Sequence, residues 1–163
     1  MRSVVVVESM FGNTRSVAEA VAEGLVDAEV IDVREAPSEF PADDVGLVVV
    51  GGPTHAFGMS RPGTRADAGR QGAADPGVGI RDLLNRLRAN EDLRVATFDT
   101  RVEKVRHLPG SAARSAARSL RRSGFVLVSR PESFYVVDTP GPLVEGELER
   151  ARLWGERLAR TTS

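Results

Sequence analysis

The chain has 163 residues, 41% of them hydrophobic and 28% charged; that suits one compact domain over 1–163 and argues against disorder. With 22 basic against 23 acidic residues there is no net field to attract nucleic acid, and Lys104 is the only lysine among an arginine-dominated set. Without any Cys the chain has no disulfide framework, zinc–thiolate site, iron–sulfur cluster or cysteine nucleophile, no apolar run nears the ~20 residues of a membrane span, and no signal-type core follows the first residues, so the expectation is a soluble cytoplasmic protein without a membrane partner.

Residues 3–7 form a continuous β-branched run, the pattern of a strand buried on both faces. A tight polar loop, Glu8-Ser9-Met10-Phe11-Gly12-Asn13-Thr14, comes next. Val17, Ala20, Val21, Gly24 and Leu25 then recur at helical spacing, with Arg15, Glu19 and Glu23 on another face. Residues 28–33 read as a second strand. Pro37 and Pro41 leave room only for a short helical turn between 34 and 44. Residues 45–50 are a third strand, ending in Gly51-Gly52-Pro53-Thr54.

The stretch from His55 to Gly79 is rich in Gly and Pro and too long for an ordinary connection, which predicts a functional or mobile loop. Ile80, Leu83, Leu84 and Leu87 mark a helix over 80–90, followed by a strand over 93–98 and a polar loop over 99–109. Ala112, Ala116 and Leu120 mark a helix over 111–123, with Gly124 as its stop signal. A strand over 125–129 is broken by Pro131, and extended character resumes over 133–137. After Thr139-Pro140-Gly141-Pro142, a last helix runs over 145–160, with Leu148, Ala151, Leu158 and Trp154 as its packing residues. Its acidic first turn and basic last turn match the helix dipole.

Alternating strands and helices predict a doubly wound, five-stranded parallel sheet in a three-layer α/β sandwich. Ligands in such sheets sit beyond the carboxyl ends of the strands, near the switch point. The loops at 8–14, 52–79 and 99–109 converge there.

The first of these loops lies between a buried strand and a helix N-terminus, where backbone N–H groups and the dipole favour an anion. Gly12 allows close approach or a positive φ. Ser9, Asn13 and Thr14 offer short polar side chains to a phosphate. There is no Gly-Lys-Ser/Thr and no G-x-G-x-x-G, so neither a nucleoside-triphosphate loop nor a dinucleotide fingerprint is present. The bare reading is a helix start without a ligand. Ser9-x-x-Gly12-Asn13-Thr14 after the first strand, combined with Gly51-Gly52-Pro53-Thr54 after the third, resembles the flavodoxin family across nearly the whole chain.

That resemblance implies a flavodoxin-like fold that binds FMN non-covalently and transfers electrons to a redox partner protein or a small-molecule acceptor. By position it implies that Ser9, Phe11, Gly12, Asn13 and Thr14 hold the phosphate. Pro53, Thr54, His55 and Phe57 would lie along the ribityl chain and ring, with Asp99, Thr100 and Arg101 on the ring's other side. Many family members sandwich the ring between a Trp and a Tyr. Here Trp154 and Tyr135 lie outside the ring loops, and Phe57 and His55 are the stackers at hand. The alternative is a binding or regulatory module on the same fold without flavin.

The spacing of His55 and His107 matches no metal motif, and no G-x-S-x-G elbow accompanies Ser9, so neither a metal nor a nucleophilic catalytic residue is expected. Glu8 lacks the acidic companion that a phospho-receiver site needs. Arg61, Arg65 and Arg70 in the second loop, and Arg101, Lys104 and Arg106 in the third, form either a solvated rim or an anion-selective one. Arg114, Arg118 and Arg121 repeat at helical spacing as a solvated face.

Overall fold

The computed structural model describes residues 1–54, 59 and 79–163. His55 and Phe57, and the loop arginines Arg61, Arg65 and Arg70, lie outside the described residues. Among those described, the strands are β1 (Arg2–Val7), β2 (Ala28–Asp32), β3 (Val45–Pro53), β4 (Arg94–Val102), β5 (Val126–Leu127) and β6 (Glu132–Val136). The helices are α1 (Asn13–Leu25), α2 (Ile80–Arg86), α3 (Ala112–Arg122) and α4 (Glu147–Thr162). A single 3₁₀ turn, Glu103–Val105, follows β4.

Every ladder is parallel, in the order β2-β1-β3-β4-β5, with β6 also beside β4. β5 pairs with the start of β4 and β6 with its end. The two are therefore one fifth strand, interrupted where Pro131 lacks the N–H that a ladder needs. The five expected positions are filled by six segments.

The sheet is covered on both faces, and the period of two sorts its valines between them. Val4, Val6, Val48 and Val50 pack with Ile80, Leu83 and Leu84 of α2 and with Ala112, Ala116 and Leu120 of α3. Val5, Val7, Leu47 and Val49 pack on the other side, with Val17 and Val21 of α1 and Ala151, Trp154 and Leu158 of α4. Trp154 sits edge-on to Phe98 and Phe134, with ring centroids 6.1 and 6.0 Å away. Leu148 does not join this core; it is exposed. The buried stripe of α4 runs through Glu147, Ala151, Trp154, Gly155 and Leu158; Leu148, in the first turn, lies just past the Gly155 edge of that stripe.

Helices α1 and α4 touch backbone to backbone. A Cβ on Gly24 would stand 2.0 Å from the Arg152 carbonyl oxygen, and one on Gly155 would stand 2.2 Å from that of Val21. Only hydrogen at both positions allows this approach.

Two boundaries differ from the sequence reading by four residues each. β4 runs on through Asp99, Thr100, Arg101 and Val102, read above as loop. Pairing on both sides holds it extended: Gly52 and Pro53 of β3 face Asp99 and Thr100, while Ser133, Phe134 and Tyr135 of β6 face Asp99, Thr100 and Arg101. Helix α2 stops at Arg86, short of Asn90, because Leu87 turns extended and Arg88 donates its N–H to the Ser38 carbonyl. Among the described residues no helix is long and apolar enough to cross a membrane.

Candidate functional site

The order 2-1-3-4-5 places the topological switch between β1 and β3, whose connections leave toward opposite faces. Beyond β1 the chain turns sharply to start α1. Gly12 is its N-cap, with φ +86°, a conformation that glycine adopts without penalty. Gly12 has no side chain with which to cap this helix start. The Ser9 Oγ lies inside the turn and accepts the Arg15 N–H at 3.2 Å. The N–H groups of Asn13 and Thr14, ahead of Arg15, and the positive end of the dipole stand at the strand-end crevice.

Glu8 is buried and has a structural task. Its Oε1 accepts the Ile80 N–H at 2.8 Å, tying the end of β1 to the start of α2.

The crevice narrows to a cleft of about 70 Å³ lined by Met10, Phe11, Asn13, Thr14, Pro53, Thr54, Thr100, Arg101, Val102, Val136 and Thr139. Four hydrogen bonds shape it. The Thr14 and Thr100 hydroxyls share a hydrogen bond of 2.8 Å, fastening α1 to β4. Thr54 donates its N–H to the Thr100 carbonyl at 2.9 Å, and its Oγ1 accepts the Ala112 N–H at 3.1 Å. Asn13 donates from Nδ2 to the Pro140 carbonyl at 3.2 Å.

Of the residues expected from sequence, Phe11, Asn13, Thr14, Pro53, Thr54, Thr100 and Arg101 are brought together in this cleft. Ser9 and Gly12 shape the same loop but do not line it. Asp99, expected beside the ring, points elsewhere. It is fully buried, receives the Ser111 hydroxyl, and accepts the Ala113 N–H at 3.0 Å on Oδ2. Strand alternation explains this: Thr97 and Asp99 face α3, where Thr97 donates to the Ala113 carbonyl, while Phe98 and Thr100 face α1 and α4.

The sequence reading missed Thr139 and the Pro140 carbonyl. Their signal was the parallel-sheet rule itself, since the turn after a fifth parallel strand must emerge at the same end as the other site loops. That wall is anchored from α4. Arg150 ion-pairs with Glu132 and Glu147, each at 2.7 Å, and also donates to the Ser133 carbonyl. Glu147 Oε2 also accepts the Tyr135 N–H at 2.7 Å. Burial raises the Glu147 pKa, but hydrogen bonds from Arg150 and Tyr135, together with attraction to Arg150, outweigh it and leave the carboxyl below its usual range.

Among the described residues no carboxylate lines the cleft, and its only charged side chain is Arg101. Arg101 is buried, donates from Nη2 to the Leu108 carbonyl at 3.0 Å, and leaves Nε buried without a partner. A helix start with a glycine N-cap, small hydroxyl and amide groups and one buried guanidinium make a donor set that suits an anion.

No protein-family model matches the chain, and no curated protein matches it. Solved structures do. An archaeal flavodoxin aligns over 99% of both chains at 19% identity with a TM-score of 0.66. Flavodoxin 1 from Bacillus cereus aligns over 100% of both chains at 16% identity and 0.68. A WrbA-like flavodoxin from Agrobacterium tumefaciens aligns over 99% of both chains at 22% identity and 0.57. End-to-end superposition, the 2-1-3-4-5 parallel order and helices on both faces together establish that this chain has the flavodoxin-like fold.

Proposed function

We propose that the chain binds FMN non-covalently and passes electrons to a protein partner or a small acceptor. One observation carries the reading: at the β1/β3 switch point, a helix start with a glycine N-cap and a buried guanidinium share a cleft that no carboxylate lines among the described residues. Asn13, Thr14 and the first N–H groups of α1 would hold the phosphate. Pro53, Thr54 and Thr100 would border the ribityl chain. The cleft is small, about 70 Å³; the phosphate would sit at its helix-start end, and the flavin ring would rest across the open mouth. Bound FMN supplies the redox chemistry, and the chain supplies binding, orientation and charge.

Titration of the apoprotein with FMN and with riboflavin tests this. FMN should bind and riboflavin should bind much more weakly, because it lacks the phosphate. Equal affinities would remove the phosphate assignment. One observation favours a flavin-free binding module instead: Trp154 is in the core, and neither it nor Tyr135 lines the cleft. Failure of both ligands to bind would select that reading.

A further inference from the structure

A second concave surface lies between α2 and α3, and the described residues that line it are all different from those of the cleft. It is a groove of about 280 Å³. Leu84 and Met59 are its buried apolar residues, Arg81 comes from α2, and Arg118 and Arg122 come from α3. Among its described lining residues there is neither a carboxylate nor an aromatic ring.

The basic wall follows from the sequence of α3. Ala112, Ala113, Ala116, Ala117 and Leu120 are buried, which leaves four arginines and no carboxylate for the rest of the helix. Spacing alone predicts a solvated face; the structure instead gives Arg118 and Arg122, one turn apart, to the groove that Arg81 also lines. Other helical arginines meet carboxylates: Arg15 pairs with Glu19, Arg150 with Glu132 and Glu147, and Arg152 with Glu149 and Glu156. Among the described residues Arg81, Arg118 and Arg122 have no ion pair. Arg118 has only the Ser115 hydroxyl, 3.5 Å from Nη2, and the Nε of Arg81 is buried without an acceptor.

Three like charges around one groove repel each other, and a shielded donor without an acceptor adds to the cost. Carboxylates relieve both, because a guanidinium takes them through two parallel N–H donors. Nucleic acid suits the groove less well: a formal net charge of −1 supplies no field for it, and no described ring offers a base a stacking surface. A lipid surface does not enter a recess between two helices.

We propose that the α2–α3 groove docks a carboxylate-rich segment of a partner protein, whose acidic side chains pair with Arg81, Arg118 and Arg122. The proposal stands apart from the FMN reading, and either can fail without the other.

The test uses the full-length chain at about physiological salt, with a fluorescent glutamate-rich peptide as probe. The same peptide with glutamine in place of glutamate, a single-stranded oligonucleotide and vesicles of anionic lipid are the comparisons. The variants are Arg81→Gln, Arg118→Gln/Arg122→Gln and Arg118→Lys/Arg122→Lys. Arg157→Gln/Arg160→Gln removes two exposed charges from α4, outside the groove. Thermal melts confirm that each is folded. The wild-type chain should bind the glutamate peptide saturably and the glutamine peptide not at all. Arg118→Gln/Arg122→Gln should lose about tenfold in affinity. Arg81→Gln should lose less, the lysine pair should keep part of the binding, and the α4 pair should bind as wild type does. Backbone amide shifts induced in the wild-type chain should cluster on α2 and the second half of α3. An equal loss in the α4 variant overturns the proposal, because the attraction would then be general. So do amide shifts centred on α1 and α4, no binding by the wild-type chain, or tighter binding of the oligonucleotide or the vesicles than of the peptide.

Discussion

The hydroxyls of Thr14 and Thr100 meet at 2.8 Å across the gap between α1 and β4, and both residues are buried. This contact sets how far the start of α1 stands from the fourth strand, and so the width of the cleft. Thr100→Val leaves the Thr14 hydroxyl unpaired and should cost about 1–3 kcal/mol. The double variant Thr14→Val/Thr100→Val should cost less than the two single variants summed, because it removes both polar groups. Urea denaturation of the four proteins measures the coupling; strictly additive losses would show that the hydroxyls do not depend on each other. Thr14→Val should also weaken FMN.

The α1–α4 contact depends on two positions without a Cβ. Gly24→Ala or Gly155→Ala would place a methyl about 2 Å from a backbone oxygen of the other helix. Alanine's helix propensity favours each change by about 1 kcal/mol, but forcing the helices apart should outweigh that gain and leave a net loss of about 2 kcal/mol. Chemical denaturation checks it. A stabilised variant would mean that the helices separate at little cost.

Asp99 should act on stability rather than on the ligand. Its carboxylate serves the first turn of α3 through Ser111 and Ala113. Asp99→Ala would strip both contacts and should cost about 2–3 kcal/mol. Oxidised-FMN affinity of the folded variant should change little. A large affinity loss with an unchanged melting temperature would place Asp99 against the ligand after all.

Glu147 should make the fold acid-sensitive. Arg150 and the Tyr135 N–H hold its pKa below the ordinary carboxylate value in the folded chain, despite burial. A carboxyl with a depressed folded pKa contributes stability that is fully present above its unfolded value, near 4.3. That contribution is lost as pH falls through the folded pKa. Glu147→Gln should therefore cost about 2 kcal/mol at pH 7, and progressively less below pH ~4. Melting temperatures of the two proteins should converge in acid. A gap independent of pH would assign the loss to packing.

Much of this molecule is determined locally. The β-branched runs at 3–7 and 45–50 dictate buried strands because a period of two has apolar side chains for both faces. The stripes in α1 and α3 and the break at Pro131 follow equally from helical spacing and a missing N–H. The Gly12 turn follows from the freedom of a residue without a Cβ. Those features needed only neighbours in sequence, and they pointed to the strand end and the helix start where the cleft lies. Tertiary structure decided the rest. Residues 99–101 are polar and look like loop, yet pairing with β3 and β6 makes them strand. That pairing sets the alternation that sends Thr100 to Thr14 and Asp99 to α3. Asn13 finds the Pro140 carbonyl 127 residues away, and Gly24 finds Arg152 across a helix interface. Local pattern encodes burial and backbone preference. It does not encode which distant group a side chain will face, because that depends on register and on which strand becomes its neighbour.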